Sequence, residues 1–274
     1  MTEKATLFDS SICTGCRSCQ TACKRWNELE AEVTHCSGSY ENPPSLSDRT
    51  WLKLGFTDAV INGKVKWLYT FTTCLHCTEA NCINVCQADA IVRTDEGFVH
   101  IDQQDCTGCG DCVSACPFDV PHLDEKSGKA VKCDGCTSVG RNRITTEDST
   151  KPGWVDKPAC VMGCAPGALK YGDLDILLAE GKARVSQLKS AGYSNACLYG
   201  ETELGGLHVL SVLEDSPSVY GLPESPKVVT AGISGDWLEG AVGQIFAPVG
   251  LASLAFGAFC KRKERIGAEQ EPKA

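Results

Sequence analysis

Large aromatic side chains are scarce in this chain, at 7% of 274 residues. A fold with so few bulky apolar groups needs another form of cross-linking, and bound metal supplies it in small metal domains. An excess of positive charge is missing too. The formal net charge is −9, which argues against nucleic acid as a partner. There is no glycine-rich nucleotide loop and no nucleophile–base motif, so nothing marks a site of substrate chemistry. The first ten residues, MTEKATLFDS, hold no apolar run, and we expect no cleavable signal peptide. That implies the cytoplasm, or export of the chain attached to a partner.

What the chain has in excess is cysteine. Nineteen is an odd number and far above ordinary usage. A disulfide-rich secreted scaffold is normally shorter and evenly counted. The densest stretch is C-T-G-C-G-D-C-V-S-A-C-P, from Cys106 to Pro117. Its cysteines, Cys106, Cys109, Cys112 and Cys116, are separated by two, two and three residues. This is the bacterial ferredoxin spacing for a [4Fe–4S] cluster. Three thiolates of one loop reach three irons of one cube, and the fourth, after a turn of helix, faces a neighbouring cluster. Gly108 and Gly110 let backbone crowd the cluster without a Cβ clash. Disulfide geometry disfavours three cysteines packed this closely. Zinc sites usually show two C-x2-C pairs set far apart.

Taken in order, residues 5–12 read as a short strand leading into Cys13, Cys16, Cys19 and Cys23, again with gaps of two, two and three. Residues 24–55 read as an insertion, with turn residues at Asn42-Pro43-Pro44 and a strand candidate around Trp51 to Leu54. Cys36 stands there without a partner at ligand spacing and reads as a structural thiol. Asn62-Gly63 predicts a hairpin over 60–72. Cys74, Cys77, Cys82 and Cys86 follow, with gaps of two, four and three. His76 inside that loop reads as packing or as a hydrogen bond to sulfide, since four thiolates are already present. Hairpins are predicted at 90–101 and 121–132, each leading into the next cysteine motif, which is the internal repeat of a two-cluster ferredoxin. The last set is Cys133, Cys136, Cys160 and Cys164, with 23 residues in its middle gap. Taken alone, that set also fits a zinc ribbon.

Residues 173–190 show a helical pattern, with Leu174, Leu177, Leu178, Val185 and Leu188 on one face, Asp173 as its cap and Gly192 at its end. Residues 207–213 read as a buried strand, and 214–235 as loop. Cys197 is isolated and reads as structural. The tail differs. Gly240 to Cys260 holds no charged residue over 21 positions, or about 31 Å of helix, enough for a bilayer core. Lys261, Arg262, Lys263 and Arg265 follow, which would put the carboxy terminus in the cytoplasm and the clusters on the other side. Gly and Pro within it are tolerated in membrane helices. The competing reading is an apolar helix docked into a soluble partner. Cys260, at its end, reads as interface packing.

Sixteen cysteines thus form four sets of four, which predicts four [4Fe–4S] clusters, and Cys36, Cys197 and Cys260 are left over. Clusters without catalytic apparatus make an electron conduit rather than an enzyme in its own right. The order of motifs resembles the four-cluster iron–sulfur subunits of the molybdopterin oxidoreductase superfamily. It is most similar to the beta subunits of membrane-bound respiratory formate dehydrogenases. C-K-R-W-N at 23–27, E-V-T-H-C at 32–36, Y-E-N-P-P at 40–44, C-P-F-D-V-P at 116–121, G-G-L-H-V-L at 205–210 and Y-G-L-P-E-S-P-K at 220–227 carry the likeness.

The resemblance implies an α+β fold of two bacterial-ferredoxin-like two-cluster modules with hairpin insertions, plus one carboxy-terminal transmembrane helix. The expected division is a cluster domain over 1–172, a helix and loop-rich extension over 173–235, and the span with its basic tail over 236–274. Pairing the first motif with the last and the two middle ones together, it implies the ligand sets Cys13/Cys16/Cys19/Cys164, Cys133/Cys136/Cys160/Cys23, Cys74/Cys77/Cys82/Cys116 and Cys106/Cys109/Cys112/Cys86. It implies as partners a molybdenum or tungsten catalytic subunit, a membrane cytochrome b subunit that reduces quinone, and membrane lipid. The location implied is the inner membrane, crossed once, with the clusters periplasmic. The twin-arginine signal belongs to the catalytic subunit in this family, which accounts for export without a leader. Two other readings stand beside it. One is the equivalent subunit of a terminal reductase for polysulfide, tetrathionate or dimethyl sulfoxide. The other is a soluble polyferredoxin.

Overall fold

Why the chain can bring distant cysteines together follows from one strand near its start. The computed structural model describes residues 2–35, 38–137 and 157–228, all within one compact unit. The strands are β1 (Lys4–Asp9), β2 (Lys53–Ile61), β3 (Lys64–Thr72), β4 (Ile91–Arg93), β5 (Val99–Ile101), β6 (His122–Leu123), β7 (Ala130–Val131), β8 (Leu169–Asp173), β9 (Cys197–Tyr199) and β10 (Val209–Leu213). The helices are α1 (Ser18–Trp26), α2 (Asn81–Asn84), α3 (Asp111–Ala115), α4 (Ala159–Met162) and α5 (Leu174–Ser190). This is the mixed α+β content of a ferredoxin-like fold.

β1 lies inside a four-stranded sheet of order β8-β1-β10-β9. It pairs antiparallel with β8, Phe8 opposite Leu169, and parallel with β10, Leu7 opposite Leu210. The antiparallel pair ties the first cysteine motif to the end of the last one. β10 is buried along its whole length, as expected of a strand covered on both faces. One face carries α5. Leu177 and Leu188 pack there against Ala5, Leu7, Leu210 and Val212. The other face joins a larger core in which Phe8, Leu52, Leu54, Leu68, Phe71 and Tyr199 meet. The extension from 173 onward therefore shares a sheet and a core with the amino-terminal strand.

Two sequence expectations change in detail. The hairpin at Asn62-Gly63 is longer than predicted, running from Lys53 paired with Thr72 to Ile61 paired with Lys64. Both turn residues have positive φ, 52° and 74°, as a two-residue turn between twisted strands requires. Asp173 does occupy the position before α5, but its carboxylate makes no cap there. It accepts instead from the Thr2 hydroxyl and the Lys4 amine, because β1 pairs with β8 and brings those donors alongside. The proposed span at 240–260 lies outside the described residues, as do Cys36, Cys260 and the segment between 138 and 156. No helix of the described residues is long and apolar enough to cross a membrane.

Candidate metal centres

Short helices carry the third cysteine of each motif, Cys19 in α1, Cys82 in α2, Cys112 in α3 and Cys160 in α4. In α1, Cys19 and Cys23 are both buried. α1 packs against α4, which carries Cys160, and α2 packs against α3. The first pairing joins the first motif to the last, and the second joins the two middle motifs.

The thiols fall into four groups. Cys19 lies beside Cys13, Cys164 and Cys16, and burial pushes its pKa up to about 12. Burial raises the pKa of Cys160 well above the ordinary thiol value, and it faces Cys23, Cys133 and Cys136. Cys77, also raised by burial, faces Cys74, Cys116 and Cys82. Cys112, pushed up to about 11 by burial, faces Cys106, Cys109 and Cys86. All sixteen cysteines of the four motifs are placed in this way. Cys197 stands apart in β9, its thiol 3.5 Å from the Asp215 carbonyl.

The groups also form a row. Cys160 of the second group has Cys19 of the first among its neighbours. Cys133 of the second faces Cys74 of the third. Cys82 of the third faces Cys112 of the fourth. The two middle groups enclose cavities, one lined by Cys23, Cys133, Cys136 and Cys160, the other by Cys74, Cys77, Cys82 and Cys116. The end groups reach the surface, where Cys16 and Cys109 are the exposed thiols.

These residues fit an iron–sulfur group. Burial and mutual repulsion keep four clustered thiols protonated when nothing is bound, and a bound metal would deprotonate them and offset their charge. Backbone N–H groups already point at sulfur, from Ala130 to Cys106 at 3.4 Å, Gly135 to Cys133 at 3.5 Å and Leu169 to Cys164 at 3.3 Å. Such bonds raise the reduction potential of a cluster. Among the described residues no three His, Cys, Asp or Glu side chains close around a single metal ion. A tetrahedral zinc, with Zn–S of about 2.3 Å, needs sulfurs roughly 3.8 Å apart. Glycine serves the loops by close approach. A Cβ on Gly108, whose φ is +75°, would lie 2.1 Å from the Gly128 carbonyl oxygen in the β6–β7 turn.

Three neighbours of the thiols were not singled out by sequence. Asn27 donates to the Cys23 carbonyl at 2.9 Å and approaches its sulfur at 3.6 Å. Phe98 lies edge-on to His76, with ring centroids 5.0 Å apart. Lys132 is 5% exposed, and it lines the cavity of the third group. Burial opposes its charge, but the Cys74, Cys82 and Cys133 thiolates outweigh it and hold its pKa above the ordinary lysine value. The period of a strand was the available signal, since it puts Lys132 on the same face as buried Ala130. His76, read as packing or a sulfide donor, is wholly buried. Its Nδ1 accepts the Val99 N–H at 2.9 Å, and burial first of all keeps it neutral.

Residues 65–174 match the family described as a 4Fe-4S dicluster domain. The chain is 38% identical over 233 residues to the iron-sulfur subunit of the nitrate-inducible formate dehydrogenase of Escherichia coli, covering 84% of this chain and 75% of that protein. It is 31% identical over 231 residues to formate dehydrogenase subunit beta of Megalodesulfovibrio gigas, covering 80% of this chain and 97% of that protein. It is 33% identical over 176 residues to the B subunit of the anaerobic dimethyl sulfoxide reductase of Escherichia coli, covering 64% of this chain and 76% of that protein.

Proposed function

Because the chain belongs to the family of formate dehydrogenase iron–sulfur subunits, we propose that it carries electrons from a formate-oxidising molybdenum or tungsten subunit to a membrane cytochrome b subunit that reduces quinone. The observation that carries this reading is the unbroken row of four thiol groups, buried in the middle and exposed at both ends. A [4Fe–4S] group supplies a one-electron carrier when bound. The protein's own part is to hold that group by Cys13/Cys16/Cys19/Cys164, Cys133/Cys136/Cys160/Cys23, Cys74/Cys77/Cys82/Cys116 and Cys106/Cys109/Cys112/Cys86. Its backbone amides donate to the sulfurs, and its apolar side chains keep water from the middle two sites.

Iron analysis of the purified chain is expected to give about sixteen irons, four per cubane set. About twelve irons with one zinc would make the Cys133 to Cys164 set a zinc site and break the row. The second reading, the equivalent subunit of a terminal reductase, draws on the likeness to the dimethyl sulfoxide reductase subunit, which covers less of this chain. Formate-to-dye activity in the copurifying large subunit separates the two.

The stretch 240–260 is proposed as a single span of the inner membrane, with the clusters periplasmic and the basic tail cytoplasmic. Gly243, Gly250 and Gly257 recur every seven residues, close to one helix face, where small residues permit tight contact with a partner helix. Cutting the chain after Asp236 is expected to keep the iron and the formate-to-dye activity of the complex. What should be lost is membrane attachment, and quinone reduction with it. A truncated complex that reduces quinone at the full rate would show that this stretch is no anchor.

A further inference from the structure

We infer that Lys132 is a shared tuning residue, a buried cation standing between the Cys74/Cys77/Cys82/Cys116 site and the Cys23/Cys133/Cys136/Cys160 site that raises the reduction potential of both. This rests on the reading of those two sites as iron–sulfur centres. The amine has three protons to donate. It gives one to the Val99 carbonyl and one to the Cys133 carbonyl, the latter at 3.0 Å, and it lines the cavity of Cys74 and Cys82. Both bonds tie it down. The Val99 carbonyl fixes it from β5, whose Val99 N–H also holds His76, a side chain that lines both cavities. Asp134 is the nearby carboxylate, and its Oδ1 accepts the Cys136 N–H at 2.7 Å.

Burying an ammonium is costly unless opposite charge compensates it. A cube held by four thiolates is net negative, and the amine lines the cavity of Cys74 and Cys82 and lies 3.0 Å from the carbonyl of Cys133, which belongs to the other site. Reduction of a thiolate-ligated cube adds one electron and no proton, so its net negative charge grows. A fixed cation beside it therefore favours the reduced form, and net charge is among the factors that set cluster potentials. At an effective dielectric constant of about 20, a unit charge within ~10 Å shifts a one-electron equilibrium about tenfold. One cation serving both sites keeps their potentials in step.

The experiment is a potentiometric titration followed by electron paramagnetic resonance, on the full chain purified with its partner subunits. Lys132→Met is expected to lower the reduction equilibrium of two centres by about tenfold each, or about 59 mV for a one-electron couple. The two end centres should stay in place and the iron content should be unchanged. Lys132→Arg, which keeps the charge, should restore both potentials. Full iron with unmoved potentials in Lys132→Met would overturn the inference and leave the cluster reading intact. A shift at only one centre would overturn the sharing. If Lys132→Met loses iron, Lys132→Arg decides. Full iron with wild-type potentials there supports the charge, and iron loss in both variants makes Lys132 a packing residue.

Discussion

Replacing Cys160 by serine is expected to stop quinone reduction while leaving formate-to-dye activity of the catalytic partner in place. Cys160 sits in α4 and faces Cys23, Cys133 and Cys136 as well as Cys19 of the adjoining group. Serine is a poor ligand at neutral pH, because its hydroxyl does not ionise as a thiol does. The expected chemical result is a loss of about four of sixteen irons. The functional result is a gap in the row. Changing a residue that merely supports a ligand typically costs 10–100-fold, so losing the ligand itself should cost on the order of 100-fold or more. Iron content and the rate of quinol formation by the purified complex check both parts. Cys197→Ser, whose thiol lies 3.5 Å from the Asp215 carbonyl and belongs to none of the four groups, should behave as wild type in both assays. Normal quinone reduction with full iron in Cys160→Ser would remove this residue from the second ligand set.

Stripping the iron is expected to unfold one part of the chain and spare another. The part from Cys74 to Cys136 has little to hold it together without metal. Its helices, α2 and α3, have four and five residues, while isolated helices need roughly 12–15 to persist. Its hairpins pair three and two residues per strand, and hairpins alone are marginal in water. Its apolar clusters are small and count cysteines among their members. In small metal domains, ligation contributes on the order of 10 kcal/mol, more than these contacts can replace. The sheet of β1, β8, β9 and β10 with α5 is different. It buries Leu7, Leu177, Leu188, Leu210 and Val212 against one another. Amide exchange read by mass spectrometry, after oxidative loss of the clusters and chelation, should show residues 74–136 exchanging at close to unfolded rates. β1, β10 and α5 should stay protected. Equal protection in both parts would show that the hairpins and loops fold without metal.

What sequence reveals here depends on how local the cause is. The gaps between cysteines mark out the four motifs, because three thiolates on one cube leave little choice of spacing. The Asn62-Gly63 turn is legible because it needs two positive φ values and few residue pairs offer them. α5 declares itself through Leu174, Leu177, Leu178, Val185 and Leu188. The reach of β2 back to Lys53 is not legible, since Trp51 to Leu54 reads as a separate strand and residues 55–59 carry no clear alternation. The parallel pairing of β1 with β10 joins residues about two hundred positions apart, and no local pattern encodes it. Nor do the gaps tell which fourth cysteine meets which first three. That depends on α1 crossing α4 and α2 crossing α3, and at the sequence level it came only from resemblance. The role of Lys132 hides for the same reason, because its neighbours Cys74 and Cys82 come from another motif.

Exposure along the row is graded, with Cys16 and Cys109 open at its two tips and Cys23, Cys74 and Cys136 buried in its middle. Air therefore attacks in sequence. Dioxygen finds the tips first, while the interior is shielded by the same side chains that exclude water. A specimen ageing on the bench fails at its terminals while most of its colour remains. Like a cable corroded at its plugs, it still holds its inner conductor when it can no longer be connected at either side.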